Sequence, residues 1–178
     1  MSGAIRYLPQ HTVADYEHWE GDWELWSGVP VSMSPSPGVP HQNVNSNLVY
    51  LFRDAVAKQE DCHCRVLFEI DWRIDHWTVV RPDLMMVCEP ITTNWIEVTP
   101  TVVVEILSPT TAEKDRGPKR DLYAQQGVAW YIMADPDTKT LEILRLAGDA
   151  YEPVSPETQI TLHDGCSVSL DPAVIWEQ

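Results

Sequence analysis

The stretch Val102-Val103-Val104-Glu105-Ile106-Leu107 holds one acid in an otherwise apolar run. Its β-branched residues, and its stop at Ser108-Pro109, read as a buried strand. A carboxylate taken out of water without a partner costs several kcal/mol, roughly, so it persists only where a cation, a lysine or a dense set of donors meets it. A second strand-like segment, Arg81-Pro82-Asp83-Leu84-Met85-Met86-Val87, carries its own isolated acid, Asp83, 22 positions before Glu105. Pro82 removes a ladder hydrogen bond and favours the edge or start of a strand, where Asp83 can face a cleft. If the two strands are neighbours, both carboxylates reach one spot and suit Mg²⁺ or Mn²⁺, with the Ile106 backbone carbonyl as a third oxygen. The alternative is an ion pair between Glu105 and an arginine such as Arg81 or Arg116.

Outward from this pair, the pattern is that of one α/β (α+β) domain spanning 1–178. Residues 13–19 read as a short helix, and Trp23-Glu24-Leu25-Trp26 turns at Ser27-Gly28 into a hairpin with 29–33. Residues 34–40 are a loop by their proline and glycine content. Apolar residues at three- and four-residue steps from Val44 to Val56 predict an amphipathic helix over 41–58. Residues 65–74 alternate as one strand, 78–80 lead into the Asp83 strand, and 89–100 form a polar connection. Beyond Glu105, the spacing predicts a helix over 115–126 stopped by Gly127, a strand over 128–134, and antiparallel strands to residue 170.

Composition narrows the function classes. With 44% hydrophobic residues and eight tryptophans the chain is not disordered, and no apolar run approaches a membrane span. Residues 1–7 lack the apolar core of an export signal, so the expected location is cytoplasmic. Cys62 and Cys64 are spaced C-x-C, short of the usual zinc or redox spacing, and with Cys88 and Cys166 they read as reduced structural thiols. The tryptophans read as core and interface anchors, an exposed subset marking a homodimer surface. A formal charge of −15 argues against a broad basic surface for polyphosphate. A bound metal and a local cluster such as Arg116, Lys119 and Arg120 would invert the field inside a cleft. No Ser-His-Asp triad, phosphate loop or dinucleotide fingerprint is visible.

Asp115, Lys119 and Tyr123 are spaced by four, one helix face, from which Lys119 could bring its amine to a metal-bound water. Taken alone, the same spacing reads as an exposed Asp-Lys pair. Four blocks carry a resemblance: Arg81-Pro82-Asp83-Leu84; Val104-Glu105-Ile106-Leu107-Ser108-Pro109-Thr110-Thr111; Asp115-Arg116-Gly117-Pro118-Lys119-Arg120-Asp121-Leu122-Tyr123-Ala124; and Gly127-Val128-Ala129-Trp130-Tyr131-Ile132-Met133-Ala134-Asp135-Pro136. In this order they resemble the Uma-type family of restriction endonucleases, within the PD-(D/E)XK nuclease fold. Trp23-Glu24-Leu25-Trp26-Ser27-Gly28 and His41 look like its N-terminal pattern.

The resemblance implies a restriction-endonuclease-like mixed β-sheet flanked by helices and a metal-dependent DNA endonuclease. Asp83 and Glu105 would be metal ligands, and Asp83, Glu105 and Lys119 the catalytic set. Position 107, where the superfamily pattern has lysine, is Leu107, and Lys119 would be the migrated equivalent. Glu24 is either an additional carboxylate or a solvated strand residue, and His41 either a helix cap or a phosphate contact. The competing reading keeps the fold as a catalytically weak binding or assembly module, which the acidic charge favours.

Overall fold

Strand β7 (Val102–Ile106) is buried along its whole length. Its side chains alternate between two apolar layers, Val102, Val104 and Ile106 on one face and Val103 on the other. The computed structural model describes residues 9–33, 37–162 and 165–177. The N-terminal stretch read for an export signal, and residues 34–36 of the predicted loop, lie outside them.

The chain opens with α1 (Val13–Tyr16), the hairpin β1 (Trp23–Trp26) and β2 (Val29–Ser32), and the long helix α2 (Val39–Ala57). Strands β3 (Arg65–Phe68), β4 (Trp72–Asp75), β5 (Thr78–Val80) and β6 (Leu84–Val87) precede β7. After β7 come α3 (Ala112–Lys114), a π-helical turn (Asp115–Lys119) and α4 (Arg120–Gln125). Strands β8 (Trp130–Asp135), β9 (Thr140–Ala147), β10 (Ala150–Val154), β11 (Ile160–Thr161) and β12 (Ser167–Val168) lead to α5 (Pro172–Ile175).

Six strands form the main sheet in the order β10-β9-β8-β7-β6-β3, and a second sheet runs β2-β1-β5-β4. Only β7 and β8 pair in parallel among the described strands. The crossover between them holds α3, the π turn and α4. One face of the main sheet packs on Val44, Leu48 and Phe52 of α2. The other packs on Trp72 and Val80 of the second sheet and Tyr123 of α4. The fold is therefore mixed α+β, its sheets flanked by few helices. In the β1–β2 turn Ser27 and Gly28 have φ of 48° and 83°, the double left-handed pair of a type I′ hairpin.

Three sequence expectations change. Residues 65–74 are not one strand. Glu69 takes φ 51°, and the chain leaves the main sheet after β3 to enter the second sheet as β4. The helix over 115–126 begins with a π turn containing Pro118, whose missing N–H cannot continue an α-helical ladder. The four cysteines are paired, Cys62 with Cys166 and Cys64 with Cys88. Register explains the second pair: Arg65 faces Val87 across β3 and β6, so Cys64 and Cys88 flank that pairing with Cα atoms 3.9 Å apart.

Candidate active site

β6 and β7 are antiparallel, with Leu84 opposite Val104, so the register extended by one residue sets Asp83 across from Glu105. Both side chains line one cavity of about 520 Å³. The Ile106 amide donates to Asp83 Oδ2 at 2.7 Å, and His41, one turn into α2, places Nε2 3.3 Å from the same oxygen.

Glu105 is 3% exposed and meets a lysine, not an arginine. Lys119 Nζ donates to Glu105 Oε1 at 2.9 Å, and the Tyr123 hydroxyl donates to the same oxygen at 2.6 Å. Lys119 also lies 3.3 Å from Glu24 Oε1 and 3.8 Å from Asp115 Oδ1. The exposed Asp-Lys pair is thereby excluded, since Lys119 is 7% and Asp115 2% exposed. Arg81 is held by Asp71 and Asp22, and Arg116 by Glu142.

Glu24 is buried, not solvated. Its Oε1 accepts from the Arg81 amide and its Oε2 from the Trp26 indole. The local cleft cluster expected of Arg116, Lys119 and Arg120 disperses. Lys119 points inward, Arg116 pairs outside the cavity, and Arg120 donates to the Tyr151 carbonyl.

Electrostatics follow from one buried cation among several acids. Burial pushes Glu105 well above the usual carboxylate range against the pull of Lys119, with Asp115 and Asp83 adding to the push. Burial would lower Lys119, but Glu105, Glu24 and Asp115 carry it well above its ordinary value, so the amine stays charged. Burial also raises Asp115, opposed by Lys119 and Thr111. For His41, burial pulls down, while the bond to Asp83 and the charges of Asp83, Glu69 and Asp115 leave it raised. Asp115 Oδ2 and His41 Nδ1 are buried with no hydrogen-bond partner among the described residues. An orphaned carboxylate oxygen beside a cavity is a place for a ligand or a reacting water.

The donors fit a hard cation. Asp83 and Glu105 present carboxylate oxygens to one cavity, and the bonds from Lys119 and Tyr123 both fall on Oε1 of Glu105. Among the described residues no three acids, histidines or cysteines are grouped to hold an ion alone. A cation here would keep several waters, as Mg²⁺ does when bound through one or two carboxylates. Lys114 and the hydroxyls of Ser108, Thr110 and Thr111 also line the cavity and were missed from sequence. Lys114 lies five residues before Lys119, off any α-helical stacking with it, and only the π turn brings both to one cavity.

A mixed sheet with an acid–lysine cluster at the ends of two central strands defines a nuclease-like fold. The family described as "Uma2: Putative restriction endonuclease" matches residues 13–173, and the chain belongs to it. A solved structure described as a putative nuclease belonging to DUF820, from Anabaena variabilis ATCC 29413, superposes with a TM-score of 0.73. That likeness covers 93% of this chain and 97% of the other at 18% identity, and it speaks for the fold. No curated protein matches. No helix among the described residues is long and apolar enough to cross a membrane.

Proposed function

We propose that this chain is a single-domain, metal-dependent DNA endonuclease that hydrolyses phosphodiester bonds with a metal-activated water. The observation that carries the reading is the buried Lys119 ammonium bonded to Glu105 in the cavity that Asp83 also lines. Asp83 and Glu105, with the Ile106 carbonyl, would hold Mg²⁺ or Mn²⁺. Such an ion supplies a more acidic bound water and neutralises charge on the phosphate.

The chain's own groups do the rest. Tyr123 and Lys119 fix Glu105 from one side, and the Ile106 amide and His41 fix Asp83. The Asp115 oxygen without a partner accepts a hydrogen bond from the attacking water, aligning it on phosphorus opposite the leaving oxygen. The Lys119 Nζ donates toward charge developing on the phosphate, a role in which a water-excluded ammonium acts as a point charge. Glu24 keeps that amine from turning away.

The test is nicking of supercoiled DNA with Mn²⁺. Wild type should cut, while Glu105→Ala and Lys119→Ala should not, with folding of each checked by circular dichroism. Inertness toward DNA, RNA and small phosphodiesters would favour the binding or assembly module. One observation supports that second reading: the cavity is lined by Asp22, Glu24, Glu69, Asp83, Glu105 and Asp115 against Arg81, Lys114 and Lys119.

A further inference from the structure

An acid-lined cavity repels a phosphate unless a bound metal ion or an uncommitted side-chain cation offsets the acids. Of its three lysine and arginine side chains, Arg81 is bound to Asp71 and Asp22, and Lys119 to Glu105, Glu24 and Asp115. Lys114 alone of the three has no carboxylate within ion-pair reach among the described residues. Its Nζ donates instead to the Ser32 backbone carbonyl at 3.3 Å, reaching from α3 to β2 beside the cavity. A bond of that length to a neutral acceptor, near solvent, is readily exchanged for a shorter one to an anionic oxygen.

The same wall carries hydroxyls that can donate. Ser108 Oγ lies 3.0 Å from Thr110 Oγ1 and 3.0 Å from Thr111 Oγ1, and all three residues line the cavity with Lys114. Hydroxyl hydrogens rotate, so such a cluster turns donors toward an incoming oxygen without moving the backbone. The other charged side chains that line the cavity are carboxylates or cations already paired with them.

We infer that Lys114, with the hydroxyls of Ser108 and Thr110, forms the phosphate-docking subsite of the cavity. It holds a backbone phosphate of DNA next to the one presented to Asp83 and Glu105. The inference rests on the endonuclease reading and adds where the substrate strand is gripped. Lys114 acts in binding and leaves the chemical step to Asp83, Glu105 and Lys119.

The experiment measures anisotropy of a short fluorescein-labelled DNA duplex in Ca²⁺ over a salt series, for wild type, Lys114→Met, Lys114→Arg and Arg116→Met. Lys114→Met should weaken binding about tenfold, the worth of one charge-assisted contact. It should also flatten the slope of log affinity against log salt by about 0.9. Lys114→Arg should retain both properties. Arg116→Met, whose residue pairs with Glu142 and does not line the cavity, should change neither. In Mn²⁺ nicking assays Lys114→Met should raise KM and keep kcat. Wild-type affinity and slope in Lys114→Met would overturn the subsite and leave the endonuclease reading standing. Wild type that binds no DNA would remove both. Should Lys114→Met fail to fold, Lys114→Gln read on the same salt series decides.

Discussion

Replacing Lys119 with methionine keeps the length and apolar stem of the side chain and deletes its charge. In the folded protein Nζ lies 2.9 Å from Glu105, 3.3 Å from Glu24 and 3.8 Å from Asp115, all four residues buried. Removing one partner of a buried pair leaves uncompensated charge and costs about 3–5 kcal/mol. In a chain of this size each kcal/mol moves the melting temperature by about 2–4 °C. The expected fall at neutral pH is therefore on the order of 10 °C.

The sign with pH is fixed by the acids left behind. Glu105 and Asp115 are raised by burial in the wild type and held back by Lys119, so the variant raises them further. A carboxyl with a raised folded-state value stabilises the fold fully below its unfolded value, near 4, and loses that contribution as pH rises through the folded value. The gap between wild type and Lys119→Met should thus narrow as pH falls from about 8 toward about 5. Thermal scans across that range, with Lys119→Met/Glu105→Gln alongside, provide the measurement. The double variant should recover part of the loss, because one stranded carboxylate is gone. A Lys119→Met protein melting within a degree or two of wild type at every pH would refute the ion-cluster account.

Other outcomes follow from the same geometry. Mn²⁺ should raise the melting temperature of wild type by mass action, and Asp83→Asn should cancel most of the rise, whereas equal shifts in both would place the ion elsewhere. Tyr123→Phe removes a 2.6 Å bond to a buried carboxylate oxygen and should cost about 1–3 kcal/mol in urea unfolding. Mn²⁺ affinity, followed by calorimetry, should tighten as pH rises through the raised Glu105 value, since the ligand must be ionised. Reductant should lower the melting temperature, because Cys62–Cys166 joins positions 104 apart, and closing a loop of that order is worth about 4–5 kcal/mol in the chain-entropy account. A Cys62→Ser/Cys166→Ser variant that is no less stable would remove that expectation.

The central sheet was legible because burial on two faces writes a plain signal. The Val102–Ile106 run had to be a core strand, and one charged residue inside it had to have a partner. Asp83 was legible through Pro82, which ends ladder bonding just where the strand meets the cavity. What stayed hidden depends on backbone states that side-chain pattern does not encode. Alternation through residues 65–74 continues across Glu69, whose left-handed φ nevertheless sends the two halves to different sheets. The cystines depend on long-range register, which spacing along the chain cannot show. Nor could spacing tell a buried Lys119 from an exposed one. Its four-residue offset from Asp115 is common to both, and only Glu24, arriving from β1, completes the cluster.

The π turn has a consequence for how the site tolerates change. Gly117 sits within it without steric need, since a Cβ there would meet nothing within 4 Å. Composition at that position is therefore loosely constrained, and Gly117→Ala should be nearly silent. Length is another matter. Taking out one residue would remove the widened turn and rotate all that follows by about 100°, swinging either Asp115 off the cavity or Lys119 and Tyr123 off Glu105. Gly117 should accept substitution while the turn around it rejects single-residue deletions, the reverse of an ordinary surface loop.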